Sequence, residues 1–238
     1  MHRSTARIIP FLSLAVMLIA PVAAHADSPE LGEHKAEFNK ALDEAIEAMF
    51  KPGEMDPNWN KSGVDLEQLV RAKPNQVVVE VDKDGERSIT LFSDRPIADF
   101  VPPEWEQIAE IGTGDARPEG SDPIEISQLD QGYYIASRSP TERVGGATCS
   151  DAPTTARLYK RKSDRDAAMP PEVAVFIFRG MLERAKSRTI CTVHDVIGDG
   201  YRTRYFLKDG RSLPVFDDMT GKSTIVPLMP TVELLTGK

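Results

Sequence analysis

Two stretches with alternating side chains and Asp-Gly turns constrain the fold of this chain most strongly. In the first, NQVVVEVDKDGERSITLFSD at residues 75–94, a β-branched run and a second alternating run flank Asp84 and Gly85. This pattern predicts a β-hairpin with strands near 76–82 and 87–92. The second stretch predicts strands at 190–197 and 201–208, joined by Gly198, Asp199 and Gly200. We therefore expect a mainly antiparallel sheet.

Two longer segments have the periodicity of helices. Residues 30–50 place a stripe of apolar side chains opposite Glu and Lys, which is typical of an amphipathic helix. Residues 171–187 begin with Pro and Glu, and their length favours a helix over a buried strand for VAVFIF. The segment VPPEWEQIAEIG at 101–112 predicts a further short helix. The expected fold class is α+β: a mainly antiparallel sheet with an N-terminal amphipathic helix and a second long helix before a C-terminal hairpin.

The first 26 residues have the features of a secretory signal peptide. Arg3 and Arg7 stand at the start, an apolar run follows, and small residues end at Ala26. A membrane anchor would need about 20 apolar residues and a charged stop behind them, whereas here an acidic stretch follows. We expect cleavage near Ala26 and a periplasmic or secreted mature chain without a transmembrane segment. The single glycosylation sequon at Asn60 leaves eukaryotic secretion open as the alternative to the periplasm.

The remaining residues, 27–238, have ordinary globular composition and an acidic balance. The formal net charge of −8 becomes −10 without residues 1–26, which contain two arginines and no acidic residue. Such a charge repels nucleic-acid phosphates, so no nucleic-acid partner is expected. We expect a single α+β domain, which the turn-rich segment near 112–123 can divide into two lobes. The similar segments KDGERSI and KDGRSL are explained by shared turn chemistry or by a duplication, and both explanations stay open.

Cys149 and Cys191 are the only two cysteines in the chain. Oxidising compartments pair such thiols, and a bridge closing this loop of 43 residues would stabilise the fold by about 4 kcal/mol on the chain-entropy estimate. The alternative is a reactive thiol or a metal pair. A metal site would need further ligands, and His34 and His194 are the only histidines after residue 26. We predict a disulfide, with no metal and no cofactor.

The predicted hairpin at 190–208 contains the candidate site residues. With a three-residue turn, Asp195 lies on a mostly apolar face with Thr203, while His194 lies on the opposite face with Arg202 and Arg204. His194 and Asp195 therefore do not form a dyad. The stripe of His194, Arg202 and Arg204 is a candidate surface for an anion or a saccharide, or else a solvated strand face. Asp195 is a candidate buried acid with a raised pKa, or else a structural acid with satisfied hydrogen bonds.

The sequence contains no complete catalytic motif. GKST at 221–224 lacks the upstream glycine of a phosphate-binding loop, since Phe216 stands there, and GRSLP at 210–214 has Pro214 where the G-x-S-x-G motif needs glycine. The pairs of acidic residues lie in or beside turns. We therefore expect a non-catalytic envelope protein that binds a protein partner or a small ligand. The alternative is a periplasmic hydrolase whose site contains carboxylates or His194, assembled from distant parts of the chain.

Overall fold

The computed structural model describes residues 31–73, 75–83, 85–112, 122–129, 132–162, 169–218 and 221–237. Its helices are α1 (Leu31–Met49), α2 (Leu66–Arg71), a 3-10 helix (Ile97–Phe100), α3 (Pro171–Ala185), α4 (Pro214–Asp217) and α5 (Thr231–Thr236). Its strands are β1 (Gln76–Val81), β2 (Arg87–Leu91), β3 (Trp105–Gly112), β4 (Ile124–Leu129), β5 (Tyr133–Arg138), β6 (Thr141–Val144), β7 (Ala147–Ser150), β8 (Thr155–Arg161), β9 (Ile190–Ile197), β10 (Gly200–Phe206) and β11 (Lys222–Pro227).

These strands form one antiparallel sheet in the order β3-β8-β5-β4-β2-β1-β11-β10-β9-β7-β6. Strand β6 continues β5 after Ser139 and Pro140, and β7 leads into β8 after residues 151–154. Because β5 pairs with β8 and β6 pairs with β7, these four strands are the two halves of one bent hairpin. One half pairs with β4 and the other half pairs with β9. The sheet therefore curls back on itself and closes into a barrel, with β3 as an edge strand beside β8.

The hairpin predicted at 75–94 is formed by β1 and β2. Val81 lies opposite Arg87, and the N–H of Glu86 donates to Asp82 Oδ1 at 2.8 Å in the turn. The glycine of the Asp-Gly pair has φ 86°, a left-handed conformation that glycine adopts without strain. Side chains alternate along both strands, so Val79 and Ile89 are buried in one core while Glu80 faces the opposite side of the sheet.

Two hydrophobic cores cover the two surfaces of the barrel wall. On the outer surface, α5 and the 3-10 helix pack over β1, β2, β4 and β5, and Trp105 stacks on Tyr134 with ring centroids 3.9 Å apart. On the inner surface, α1 and α3 pack against each other and against side chains of β5, β8 and β10. Arg184 of α3 donates to Asp43 of α1 at 2.6 Å. The helices predicted over 30–50 and 171–187 thus cover one part of the barrel interior.

The chain is a mostly antiparallel sheet with a few helices, which is richer in strands than the predicted α+β arrangement. The helix predicted over 101–112 is wrong, because residues 105–112 form β3. This strand pairs with β8 through an irregularity between Gln107 and Ala109. The bulge disturbs the strict alternation that marks a strand in a sequence, so pairing with β8 decides the structure against the local pattern.

The predicted register of the hairpin at 190–208 is also wrong. Ile197 lies opposite Gly200, so the turn contains two residues, Gly198 and Asp199, and not three. Because side chains alternate with a period of two, this change of one residue exchanges the cross-strand neighbours of every position. His194 consequently lies opposite Thr203, on the face that was expected to hold Asp195.

The predicted disulfide between Cys149 and Cys191 is present. The two residues lie directly opposite each other on β7 and β9, and their sulfurs are bonded at 2.02 Å. On the outer surface the bridge packs with Trp59, which comes from the segment at 51–65. The N–H of Gly146 donates to the carbonyl of Asn60 at 2.6 Å. The carbonyl oxygen of Ser62 would lie 2.6 Å from a Cβ at Gly146, which leaves no room for a side chain there. The bridge and this segment hold the bent hairpin to the rest of the barrel.

Two of the sequence predictions concern residues outside the described ranges. These are the signal peptide at 1–26 and most of the lobe boundary near 112–123, of which residues 113–121 are not described. The single domain at 27–238 and the cleavage near Ala26 stay predictions. Within the described ranges, none of the helices has the length and apolar character needed to cross a membrane.

Candidate functional site

The barrel interior contains a cavity of about 110 Å³. Eight of the strands or their ends contribute inward-facing side chains to its wall, and α2 contributes Leu66 and Glu67 at one end. Apolar surface makes up the larger part of the wall, and most of its polar groups are uncharged hydroxyls. The hydroxyl-bearing residues that line it are Ser88, Thr90, Ser139, Thr141, Thr148, Ser150, Thr192, Thr203, Tyr205 and Ser223.

Three titratable side chains project into this hydroxyl-lined wall, namely Glu80 of β1, Glu125 of β4 and His194 of β9. Strand alternation places them there, because the neighbours of Glu80 and Glu125 in sequence, among them Val79 and Ile126, belong to the outer core. A third acidic group, Glu67, lies at the end formed by α2. The cavity has no lysine or arginine in its wall, within the part of the chain that the structure describes.

Glu80 is held by the hydroxyl groups of Ser223 and Thr203 and is otherwise poorly solvated. Ser223 Oγ donates to Glu80 Oε2 at 3.3 Å, while Oε1 is buried without a hydrogen-bond partner among the described residues. Burial raises the pKa of Glu80 from 4.5 to about 7 because it penalises the charged form. The Ser223 hydrogen bond opposes this rise, and the negative charges of Glu125 and Asp82 add to it.

Glu125 lies between Thr90 of β2 and Ser137 of β5 in the strand register. Burial raises the pKa of Glu125 from 4.5 to about 7. Ser137 is completely buried, and its hydroxyl has no hydrogen-bond partner among the described residues. Glu80 and Glu125 are separated by strand β2 and by two residues along the strands, which corresponds to about 12 Å between their backbones. Both carboxyls are therefore close to half protonated at neutral pH.

His194 contacts Thr203 directly across the β9–β10 ladder. Its Nδ1 lies 3.2 Å from Thr203 Oγ1, and the tautomer of the ring decides which atom donates. Burial lowers the pKa of His194 from 6.5 to about 4, and the positive charge of Arg143 adds to this effect. Asp195 and Asp65 oppose it. At neutral pH His194 is an uncharged member of the cavity wall.

The other sequence-predicted site residues lie outside the cavity. Arg204 donates to Asp195 through Nε at 2.5 Å and through Nη2 at 3.3 Å, a two-pronged ion pair on the outer surface. Arg202 is exposed on the same surface. The structure therefore separates His194 from Arg202 and Arg204, so these residues do not form one stripe. Asp195 is not a buried acid, since about a third of its side chain is exposed and it is paired. The two-residue turn is the physical cause of both corrections.

The geometry brings titratable groups together without forming a nucleophile relay. In such a relay the imidazole lies between a hydroxyl and an acid. Here Thr203 contacts His194, and Thr203 is also the group that contacts Glu80. The hydroxyl thus lies between the imidazole and the acid. No group of three or more His, Cys, Asp or Glu side chains able to hold a metal ion occurs among the described residues.

Glu80 and Glu125 were not identified from the sequence. The signal was present, because each glutamate interrupts a strand of β-branched residues, VVVEV and IEIS, at a position between two outward-facing apolar residues. An inward-facing charged residue between apolar neighbours indicates a buried site or a cavity. Alternation alone did not reveal that both strands face the same enclosed space.

We expect the free energy of unfolding to fall as the pH rises from about 4.5 to about 7. In this window the unfolded chain releases protons that folded Glu80 and Glu125 retain, so the folded state loses relative stability. His194 acts in the opposite direction between about pH 4 and 6.5, since only the unfolded chain holds its proton there. Because two carboxyls act in one direction and one imidazole in the other, the free energy of unfolding should show a net decrease.

The variant Glu80→Gln isolates one carboxyl. The free energy of unfolding of Glu80→Gln, minus that of the wild type, should increase by about 3 kcal/mol as the pH rises from 4 to 8. Urea unfolding across this range measures the shift, and Glu106→Gln, at an exposed position on β3, is the matched control. Parallel stability curves for Glu80→Gln and the wild type would show that Glu80 is not buried in this way.

Comparisons with known proteins give no match to this chain. No family model matches it, and no curated protein or solved structure does.

Proposed function

We propose that this protein binds one small molecule in the cavity of its barrel. The observation that supports this proposal is the enclosed interior wall, on which hydroxyl groups surround two buried carboxyls and a neutral imidazole. Small-molecule sites are concave and combine apolar surface with a few polar groups that converge on the ligand. The apolar part of the wall is provided by residues such as Val78 and Phe92.

The size of the cavity favours a small ligand over a protein partner. A cavity of about 110 Å³ is of the same order as the roughly 150 Å³ engineered cavity that holds a benzene molecule. The polar groups of the wall face inward, where a folded partner cannot reach them. This geometry therefore supports binding of a small ligand better than binding of a protein partner.

The protonation of the site argues against His194 as a catalytic base. A general base works best with a pKa near the operating pH, whereas burial lowers that of His194 to about 4. Glu80 and Glu125 do meet this criterion, since burial raises both of their pKa values to about 7. Acid and base pairs arise where environments push two pKa values apart, and no such difference divides these two glutamates into an acid and a base.

A hydrolase remains the second candidate because one observation favours it. His194, Glu80 and Glu125 converge on a single cavity from three different strands, and such convergence is the arrangement expected of a catalytic site. Under this alternative Glu80 and Glu125 would be the carboxylates of the reaction. The two functions differ in the fate of the bound molecule, which is released unchanged in one case and chemically altered in the other.

Export to the periplasm is part of the proposal. It is supported by the arginine-bearing apolar N-terminus and by the small residues that end at Ala26. The disulfide between Cys149 and Cys191 is compatible with an oxidising compartment. N-terminal sequencing of the chain recovered from the periplasm should begin at Asp27, and a chain that keeps Met1 in the cytoplasm would contradict export.

A ligand screen by heteronuclear NMR tests the binding function. Mixtures of small amines, polyols, sugars and carboxylates are added to labelled protein at millimolar concentration. We expect at least one class to shift the signals of inward-facing residues such as Thr192 and Thr203 while the outward-facing Arg202 is unaffected. Ser88→Leu fills the cavity wall and should abolish the shifts, whereas Arg202→Leu adds the same side chain outside and should not.

Two results of this screen would contradict the binding proposal. Shifts that persist in Ser88→Leu would place the ligand outside the barrel. Ligand signals that convert with time to those of a product would favour the hydrolase, particularly if Glu80→Gln stops the conversion.

A further inference from the structure

We infer that the ligand of the barrel cavity is a small organic ammonium ion whose charged head lies against Glu80 and Glu125. This inference rests on the proposed binding function and adds the chemical class of the ligand. It is based on the charged side chains of the cavity, on the unpartnered Oε1 of Glu80 and on the apolar residues of the wall.

The charged side chains of the described cavity wall are all acidic. Its acidic residues are Glu67, Glu80 and Glu125, its imidazole is neutral, and it has no basic residue among the described residues. Arg71, the basic residue nearest to Glu67, is already bound to it at 2.8 Å. An enclosed site with acidic groups and low-dielectric walls attracts cations and repels anions. The ligand class that complements this wall is therefore cationic.

The unpartnered oxygen of Glu80 points to a hydrogen-bond donor. Glu80 lines the cavity, and its Oε1 is buried without a hydrogen-bond partner among the described residues. Buried polar groups are almost always hydrogen-bonded in native structures, so this oxygen indicates a missing partner. An ionised carboxylate only accepts hydrogen bonds, and an ammonium group carries up to three N–H donors.

The rest of the wall favours an organic cation over a metal ion. Calcium takes six to eight oxygen ligands in a compact shell, whereas Glu80 and Glu125 belong to no group of three or more His, Cys, Asp or Glu side chains able to hold a metal ion among the described residues. Apolar groups of Val78, Leu66 and Phe92 also line the cavity. An aliphatic stem packs against such surface, while a hydrated metal ion gains nothing from it.

Occupation by a cation should be linked to the ionisation of the two carboxyls. Both must lose their protons to attract an ammonium head fully, so affinity should rise as the pH passes through 7. The other titratable or charged groups around this site are Asp82 after β1, Asp65 before α2, Glu67 and Arg71 on α2, Arg143 on β6, His194 on β9 and Tyr205 on β10. Glu67 and Arg71 are paired with each other, and His194 is uncharged in this range because burial lowers its pKa to about 4.

Three probes of equal chain length and different charge test the inference: butylamine, butanol and butyrate. Isothermal titration or NMR at pH 8 should show butylamine binding at least about tenfold more tightly than the other two. Its affinity should weaken by about tenfold or more at pH 6, where most of the Glu80 and Glu125 carboxyls are protonated. Butylamine keeps its own charge throughout this range.

The double variant Glu80→Gln and Glu125→Gln should keep its fold, since it removes two desolvated charges, and should lose both the preference for the amine and its pH dependence. Glu106→Gln, exposed on β3, serves as the control and should bind as the wild type does. Circular dichroism verifies that each variant is folded. Retention of amine preference in the folded double variant would overturn the inference.

The remaining outcomes separate the inference from the proposed function. Butanol or butyrate binding as tightly as butylamine would overturn the ammonium inference and leave small-molecule binding intact. Tighter binding of calcium chloride than of butylamine would overturn it in favour of a metal site. If none of the probes shifts an inward-facing residue, and the wider ligand screen is also negative, both the inference and the proposed function are wrong.

Discussion

The bend between β5 and β6 is the constraint on which the rest of the structure depends. Hydrogen bonding between the two halves of the hairpin continues through the bend, since Thr154 N–H donates to the Arg138 carbonyl at 3.0 Å and Asp151 N–H donates to that of Pro140 at 3.2 Å. Arg138 donates to the carbonyls of Ser93, Asp122 and Arg95 and so ties the bend to the loops beside β2 and β4. One half of the hairpin thus remains beside β4 while the other reaches β9, and the sheet between them must close.

Closure explains why polar groups occur on the inside of the barrel. Inward-facing side chains of different strands line the same enclosed space. Glu80, Glu125 and His194 therefore line one cavity although they are far apart in sequence. Burial favours the uncharged form of each side chain, and an uncharged side chain has a smaller desolvation penalty in the barrel interior than a charged one. The outer core and the helix pair α1 and α3 supply the apolar burial that offsets this cost.

Local features of this chain could be predicted from its sequence, and the features that depend on register and closure could not. The β1–β2 hairpin, the two long helices and the disulfide follow from alternation, periodicity and composition. The β9–β10 hairpin shows the limit of this reasoning, because a turn of two residues in place of three moved His194 from the predicted arginine stripe into the cavity. Glu80 and Glu125 each interrupt an apolar strand in the sequence, but only the long-range pairing that forms the barrel places both of them in one cavity.

The central claim is that Glu80 and Glu125 lie in a barrel cavity whose wall has no lysine or arginine among the described residues. NMR titration of their side-chain carboxyl carbons measures this directly in the ligand-free protein, with each signal assigned by its Gln variant. The account predicts that both carboxyls titrate near pH 7, well above the ordinary value of 4.5. Titration of both near 4.5 would mean that the carboxyls are solvated or paired with a cation, and it would contradict the cavity described above.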